Sequence, residues 1–494
     1  MKNQISKINL IPKPVSVEVG EGGFSLSEGL SISYEQVDSA SANLAHILAD
    51  RINLLDPGRI AARIEHGTGK PGRVRLLLDS GMAEVGSEGY TLQIGEEEVQ
   101  IRAISPAGIF RGIQTLIQLI LDRLLENGSD RLPAVKITDH PRFEYRGMML
   151  DVARHFFPPS DVKRLIDLLA YYKLNHLHLH LTDDQGWRIE IKNWPKLTEI
   201  GGSTQVGGGK GGFYTQAEYT DLVDYAQSRY ITIVPEIDLP GHTNAALASY
   251  PELNCDGTAP DLYTGTEVGF SSLCLDKPVT NRFLEDVIAE LAGLTPGPFL
   301  HIGGDEAHST KPEEYRSIID TVQGMVTSHG KHMVGWQEIS HCTLSEGSIV
   351  QYWTGHSELG ELQADVRLLM SPATQAYMDM KYNSECELGL AWAGYVNLGD
   401  AYTWDPETYL KDVTIIPGQI IGLEAPLWSE TLESLADIEY MVFPRLLAYS
   451  ELGWSVKAGR DFEGFRKRVA AHGKQLDHLG VNYYRSELVN WPDR

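Results

Sequence analysis

The chain has 494 residues, a hydrophobic share of 42% and a formal net charge of -25. That length exceeds one ordinary domain and fits a large barrel joined to a smaller unit. So acidic a surface repels nucleic acid and anionic membranes, which excludes both as expected partners and leaves room for a neutral small-molecule substrate.

No stretch is long and apolar enough to span a bilayer, so no membrane insertion is expected. The first ten residues carry no apolar leader core and no small-residue cleavage site. As written, the chain reads as cytoplasmic, or as exported after removal of a leader. The cysteines, Cys255, Cys274, Cys342 and Cys386, lack zinc-site spacing. Free thiols are the expectation. A Cys255–Cys274 pair is the alternative for an exported protein.

Residues 1–140 read as a small α+β domain. Strand-like runs fall at Val74–Leu78, Tyr90–Ile94 and Val99–Arg102, followed by a helix over Ala107–Leu125. Pro141 marks the junction. Residues 141–494 read as a (β/α)8 barrel, with a C-terminal helix over Phe462–Leu479 closing its wall. Eight apolar runs support this: Arg146–Val152, Leu174–Leu181, Ile231–Asp238, Phe299–Gly303, His332–Trp336, Ile349–Trp353, Val366–Met370 and Ile420–Trp428. Helical stretches such as Pro158–Leu174 and Asn281–Leu294 alternate with them, and Thr215 with Glu218 forms a capping box. A doubly wound sheet is the competing fold, but no glycine-rich phosphate turn follows the first of these strands. The glycine-rich loop over 201–212 reads as mobile.

In such a barrel the C-terminal strand ends build the active site. Those ends carry Asp151 and Arg154, Asp183 and Asp184, Glu236, Asp238 and His242, then Asp305 and Glu306, then Trp336, Trp353, Tyr377, Asp379, Trp428 and Glu430. Carboxylates beside aromatic faces suit a sugar, which offers hydroxyls and C–H surfaces. Asp305 and Glu306 stand out, because two adjacent carboxyls at a buried strand end divide into an acid and an anion. Strict alternation would send them to opposite faces, so both reach one site only if Gly303 and Gly304 break the strand. His176, His178 and His180 share a face of the second barrel strand. Hydrogen bonding inside the core is the expectation for them, not a metal.

Six ordered motifs, LDVARHF (150–156), HLHLTDDQGWR (178–188), PEIDLPGHT (235–243), HIGGDE (301–306), GWQE (335–338) and APLWSE (425–430), resemble those of family 20 glycoside hydrolases, the β-N-acetylhexosaminidases. The N-terminal unit also resembles the small domain that precedes the barrel there. The resemblance implies retaining, substrate-assisted hydrolysis of terminal β-linked N-acetylhexosamine, without a metal or cofactor. It implies Glu306 as general acid and base, Asp305 as partner of the acetamido N–H, and Tyr377 as donor to the acetamido oxygen. Trp336, Trp353 and Trp428 would wall the acetamido pocket. Arg154, Asp379 and Glu430 would bind ring hydroxyls, Trp392 would line the entrance, and Asp183 and His242 would stand behind Glu306. Some relatives dimerise, so a homodimer is among the implied states. A sugar-binding barrel without catalysis and a metal-dependent sugar deacetylase are the competing functions.

Overall fold

The computed structural model describes residues 8–27, 29–34, 39–56, 59–65, 73–355, 359–360, 362–411 and 413–492. The chain divides into two compact units. The first takes residues up to Arg142, Ala170–Lys173 and everything from Ser450 onward; the second takes Phe143–Leu169 and Leu174–Tyr449.

In the first unit, strands β1 (Ser16–Ser25), β2 (Leu30–Tyr34), β3 (Ala62–Ile64), β4 (Val74–Leu78), β5 (Tyr90–Ile94), β6 (Val99–Ala103) and β7 (Arg131–Asp139) form a mixed sheet in the order β1-β7-β5-β6-β4-β2-β3. Helices α1 (Ser39–Leu55) and α2 (Pro106–Asn127) pack on it. The ends of α2 follow from its residues. Ser105 accepts from the Gly108 N–H, Pro106 sits in the first turn, and Gly128 closes the helix in the left-handed region.

The C-terminal helix, Phe462–His478, belongs to this unit and not to the barrel wall, contrary to the sequence expectation. Its buried face (Phe465, Val469, His472, Leu476) meets α2, and His472 Nε2 lies 2.6 Å from the Asn9 carbonyl. Amphipathicity told that the helix buries one face, not which neighbour covers it.

In the second unit each of the eight apolar runs becomes a strand: β8 (Tyr145–Asp151), β9 (His176–His180), β12 (Thr232–Glu236), β13 (Phe299–His301), β14 (His332–Trp336), β15 (Ile349–Tyr352), β16 (Arg367–Met370) and β17 (Ile420–Leu427). They close as a parallel barrel, and a short hairpin, β10 (Thr182–Asp183) with β11 (Gly186–Trp187), extends the second strand end. Helix α3 (Pro159–Tyr171) follows β8, and the Thr215–Glu218 capping box opens the helix Gln216–Gln227. Tyr145, Val234, Phe299, Val334, Ile349, Leu369 and Ile421 form an apolar cluster near the strand starts. Toward the strand ends the interior turns polar. No helix among the described residues is long and apolar enough to cross a membrane.

Two further expectations change. Cys255 and Cys274 form a disulfide, because the loop between them brings their Cα atoms to 4.9 Å; Cys342 and Cys386 stay free and buried. The glycine-rich loop is tied down, not loose: the buried Arg188 guanidinium donates to the carbonyls of Gly202, Thr204 and Gly212 as well as those of Val152 and Ala153.

Candidate active site

Strand β13 stops at His301, and the residues after it turn sharply. The Gly303 N–H donates to His301 Nδ1 (3.0 Å), and the Gly304 N–H donates to Asp238 Oδ1 (3.2 Å). Gly303 has φ +66°, and a Cβ there would stand 1.8 Å from Asp238 Oδ1, so only glycine fits. Glu306 itself takes φ +45°, a conformation that costs a non-glycine residue about 1–2 kcal/mol and concentrates at functional sites. The turn abolishes strand alternation, and Asp305 and Glu306 both line one cavity.

That cavity has a volume of about 230 Å³. Arg154, Asp305, Glu306, Trp353, Tyr377, Trp392, Trp428 and Glu430 line it, together with Thr266, Val268 and Leu390. Tyr377 and Trp353 lie nearly parallel at 6.3 Å, and Trp428 stands 6.3 Å from Tyr377 on another side. Trp392, 55% exposed, stands edge-on to both Trp353 and Tyr377. Thr266 and Val268 come from the disulfide-closed loop, and Leu390 from a segment bridged to Met380. Sequence reasoning missed these three, since an ordinary loop residue carries no motif.

Four expected site residues stand off the cavity wall. Trp336 is 1% exposed, packs 5.7 Å from Trp428, and gives its indole N–H to Glu236 Oε1 (2.9 Å). Its place in β14 turns the ring into the barrel interior, so Trp353 and Trp428 meet the cavity without it. Asp379 is buried, and its carboxyl is pushed well above the usual range by burial and then by the Glu430 charge.

Asp183 and His242 form a buried pair behind Glu306. His242 Nδ1 lies 3.1 Å from Asp183 Oδ1, and its Nε2 lies 3.4 Å from Glu306 Oε2 and 3.7 Å from Asp305 Oδ2. Arg154 Nη2 meets Asp183 Oδ2 at 2.7 Å, and its guanidinium lies over the Trp428 ring. Burial works against the Asp183 anion, but Arg154 and His242 hold its carboxyl far below the usual range. Burial likewise works against the His242 cation, yet Asp183 and the neighbouring Asp238 and Asp305 raise it well above the ordinary histidine value. Asp305 is pushed up to about 6 by burial, with His242 opposing the rise and Glu306 adding to it. Burial keeps the Tyr377 hydroxyl protonated.

Residues 143–320 and 311–457 match the glycosyl hydrolase family 20 catalytic domain, and residues 7–140 match domain 2 of that family. This chain belongs to glycosyl hydrolase family 20. It is a glycoside hydrolase. A β-N-acetylhexosaminidase of Cellulomonas fimi is 43% identical over 98% of this chain and 97% of its own length. The Streptomyces plicatus N-acetyl-β-hexosaminidase in complex with Thio-NAglucal is 46% identical, with a TM-score of 0.92 over 98% of both chains. A mutant of the Streptomyces plicatus enzyme in complex with product GlcNAc gives 45% identity and a TM-score of 0.91 over 98% of both chains.

Two side groups complete the family 20 barrel mouth. Asp184 accepts from the Asn244 N–H (2.9 Å) and the Ser271 hydroxyl, so it ties strand-end loops together. His178, Glu236 and His301 bring potential metal-ligating atoms within 4.8 Å of one another. Several hydrogen bonds of these groups are made internally, while His178 Nε2 and His301 Nε2 find no hydrogen-bond partner among the described residues. Glu236 takes the Trp336 N–H and faces His178 and His180, and His301 Nδ1 takes the Gly303 N–H.

Proposed function

We propose that the protein is an exo-acting, retaining β-N-acetylhexosaminidase whose substrate supplies its own nucleophile. One observation carries the reading. Asp305 and Glu306 stand together on the wall of a cavity that Trp353, Tyr377 and Trp428 also line. A volume of about 230 Å³ suits one sugar residue bearing an acetamido group. The other wall carboxyl, Glu430, is pushed up by burial and pulled back by Arg154, which fits hydroxyl binding better than attack on carbon. The product complex of the Streptomyces plicatus relative supports a terminal N-acetylhexosamine.

In this mechanism the 2-acetamido oxygen attacks C1 and the glycosidic C–O bond breaks, leaving an oxazolinium ion. Glu306 protonates the departing oxygen, then takes a proton from the water that opens the ring. Asp305 accepts the acetamido N–H and stabilises the positive charge that grows there; Tyr377 donates to the acetamido oxygen. Trp353 and Trp428 press the group under the pyranose, with Trp336 backing Trp428. Holding an internal nucleophile in place can supply roughly 7–11 kcal/mol. Arg154 grips O3 and O4, Asp379 and Glu430 bind O4 and O6, and Trp392 faces the leaving sugar at the mouth. Asp183 and His242 orient Glu306 from behind. We also propose export to an oxidising compartment, because a Cys255–Cys274 bond would not persist among cytosolic thiols.

The decisive comparison uses an aryl β-N-acetylglucosaminide and the matching aryl β-glucoside, each with and without chelator. Chelator-resistant cleavage of the first alone is expected. Equal cleavage of both would sink acetamido participation. Loss of activity on chelation would point to a metal enzyme instead.

A further inference from the structure

Barrel interiors of this kind are ordinarily filled by layers of branched aliphatic side chains. Here one interior layer is replaced by a line of alternating carboxylates and imidazoles. Tyr145 OH and Gln351 Nε2 donate to Glu424 (2.7 and 2.8 Å). His178 lies 2.9 Å from Glu424 on one side and 2.9 Å from Glu236 on the other. His180 Nδ1 meets Glu236 Oε2 at 2.5 Å, and its Nε2 meets Asp183 Oδ2 at 2.7 Å. Asp183 then meets His242, which faces Glu306.

We propose that Glu236 is a positioning residue for the general acid: acting through His180 and Asp183, it fixes the ring of His242 against Glu306. The proposal rests on the acid role given to Glu306 above.

A histidine held between two carboxylates donates from both nitrogens, so it is doubly protonated and its ring cannot turn without losing a bond. His180 is in that position, between Glu236 and Asp183. Burial alone would strip its proton, but Glu236 leads the contacts that hold it well above the ordinary histidine value. The burial that should neutralise Glu236 is in turn outweighed by His180, His301 and His178. With His180 locked, Asp183 Oδ2 is taken by His180 and Arg154, and Oδ1 accepts the Asp184 N–H (2.6 Å) and faces His242. The plane of one carboxylate therefore sets the ring that faces the acid. Glu236 is the junction of the line. Its Oε2 is bonded to His180 and lies 2.9 Å from His178 Nε2, and its Oε1 takes the Trp336 N–H from behind the aromatic wall. A buried charge array is expensive to assemble and is weak evidence for stability. Its end at Glu306 gives it a use that packing would not.

The test measures kcat and KM across aryl β-N-acetylglucosaminides whose phenols range from very acidic to weakly acidic. For Glu236→Gln, we expect a near wild-type kcat/KM, which reads bond cleavage and not ring opening, on the most activated substrate and a loss growing to about 10²-fold on the poorest, the scale of an ångström-sized misplacement. KM should stay within a few-fold throughout. His180→Gln should give the same pattern. A loss equal across the series, or none, would overturn the proposal, because a merely structural residue has no reason to sort substrates by leaving group. Should neither variant fold, the unmodified protein still decides. Its proton spectrum should hold two slowly exchanging downfield imidazole N–H signals from His180, and their absence would overturn the doubly bonded geometry. If the unmodified protein cleaved no acetamido glycoside, the proposed function would fall while the spectrum still judged the line.

Discussion

Asp139 in the first unit and the carboxyls of Asp238, Asp305 and Asp379 in the barrel are all buried, yet they are treated in opposite ways. Asp139 is fully enclosed and fully served. Lys173 Nζ (2.9 Å) and Tyr90 OH (2.7 Å) meet one oxygen, and Trp454 Nε1 (2.9 Å) and the Val15 N–H (3.1 Å) meet the other. In the barrel, Asp305 Oδ1 and Asp238 Oδ2 find no hydrogen-bond partner among the described residues, and burial outweighs the backbone hydrogen bonds that reach Asp379 and Glu430. Burying an unserved carboxyl costs free energy. A fold that satisfies Asp139 so completely could satisfy these too. The difference separates a carboxyl that builds structure from carboxyls whose open oxygens leave room for new hydrogen bonds.

The comparison can be broken from either side. The largest effect is expected at Asp139→Ala, which leaves Lys173 buried without its partner. Unfolding should become easier by about 3–5 kcal/mol, while kcat/KM per folded molecule stays unchanged. Denaturant melts beside active-site-titrated kinetics would check it, and a kinetic defect without a stability loss would erase the contrast. Next in size is Asp305→Asn. Losing a group aimed at developing charge costs about 2.7–4 kcal/mol of transition-state stabilisation, or 10²–10³ in kcat. Melting behaviour should hold or improve, since the variant removes a buried charge with an unserved oxygen. A variant that kept most of its activity would exclude the acetamido role. The same carboxyl sets a smaller effect in pH. With burial pushing Asp305 up to about 6, its anion is lost as pH falls through that value. The acid limb of kcat/KM should therefore bend near pH 6 in the unmodified protein and move or vanish in Asp305→Asn.

Much of this was legible in the residues, and the gaps have physical causes. The eight barrel strands announce themselves because a parallel strand buried on both faces is an apolar run. The turn after β13 is legible too, because the glycines at 303 and 304 allow the positive φ that brings both carboxyls to one side. The direction of the Trp336 ring is not, since one residue of alternation decides between cavity wall and barrel interior. Nor could spacing alone reveal that Arg188 anchors the glycine-rich loop. That depends on five carbonyls from distant segments converging on one guanidinium. The disulfide likewise depends on how a loop closes. Thr266 and Val268 were missed because they contribute position without chemistry.

The finest test of the comparison lies at Asp379. Burial, then the Glu430 charge, raises its folded-state pKa well above the unfolded value. Between those two values the folded state binds a proton that the unfolded chain does not, so stability falls as pH rises from the unfolded pKa toward the folded one. At neutral pH, ionising Asp379 therefore works against folding. Asp379→Asn removes that penalty and keeps the shape, so it should stabilise the fold by about 0.5–2 kcal/mol, the usual gain from relieving one local defect. The gain should be larger at pH 7 than at pH 5. An amide in place of the carboxylate also weakens a hydroxyl contact, so KM should rise several-fold with kcat little changed. Thermal melts at the two pH values, run beside steady-state kinetics, would read both effects. A variant less stable at pH 7 than the unmodified protein would show that Asp379 is served as Asp139 is, and the distinction between the two regions would fail at that residue.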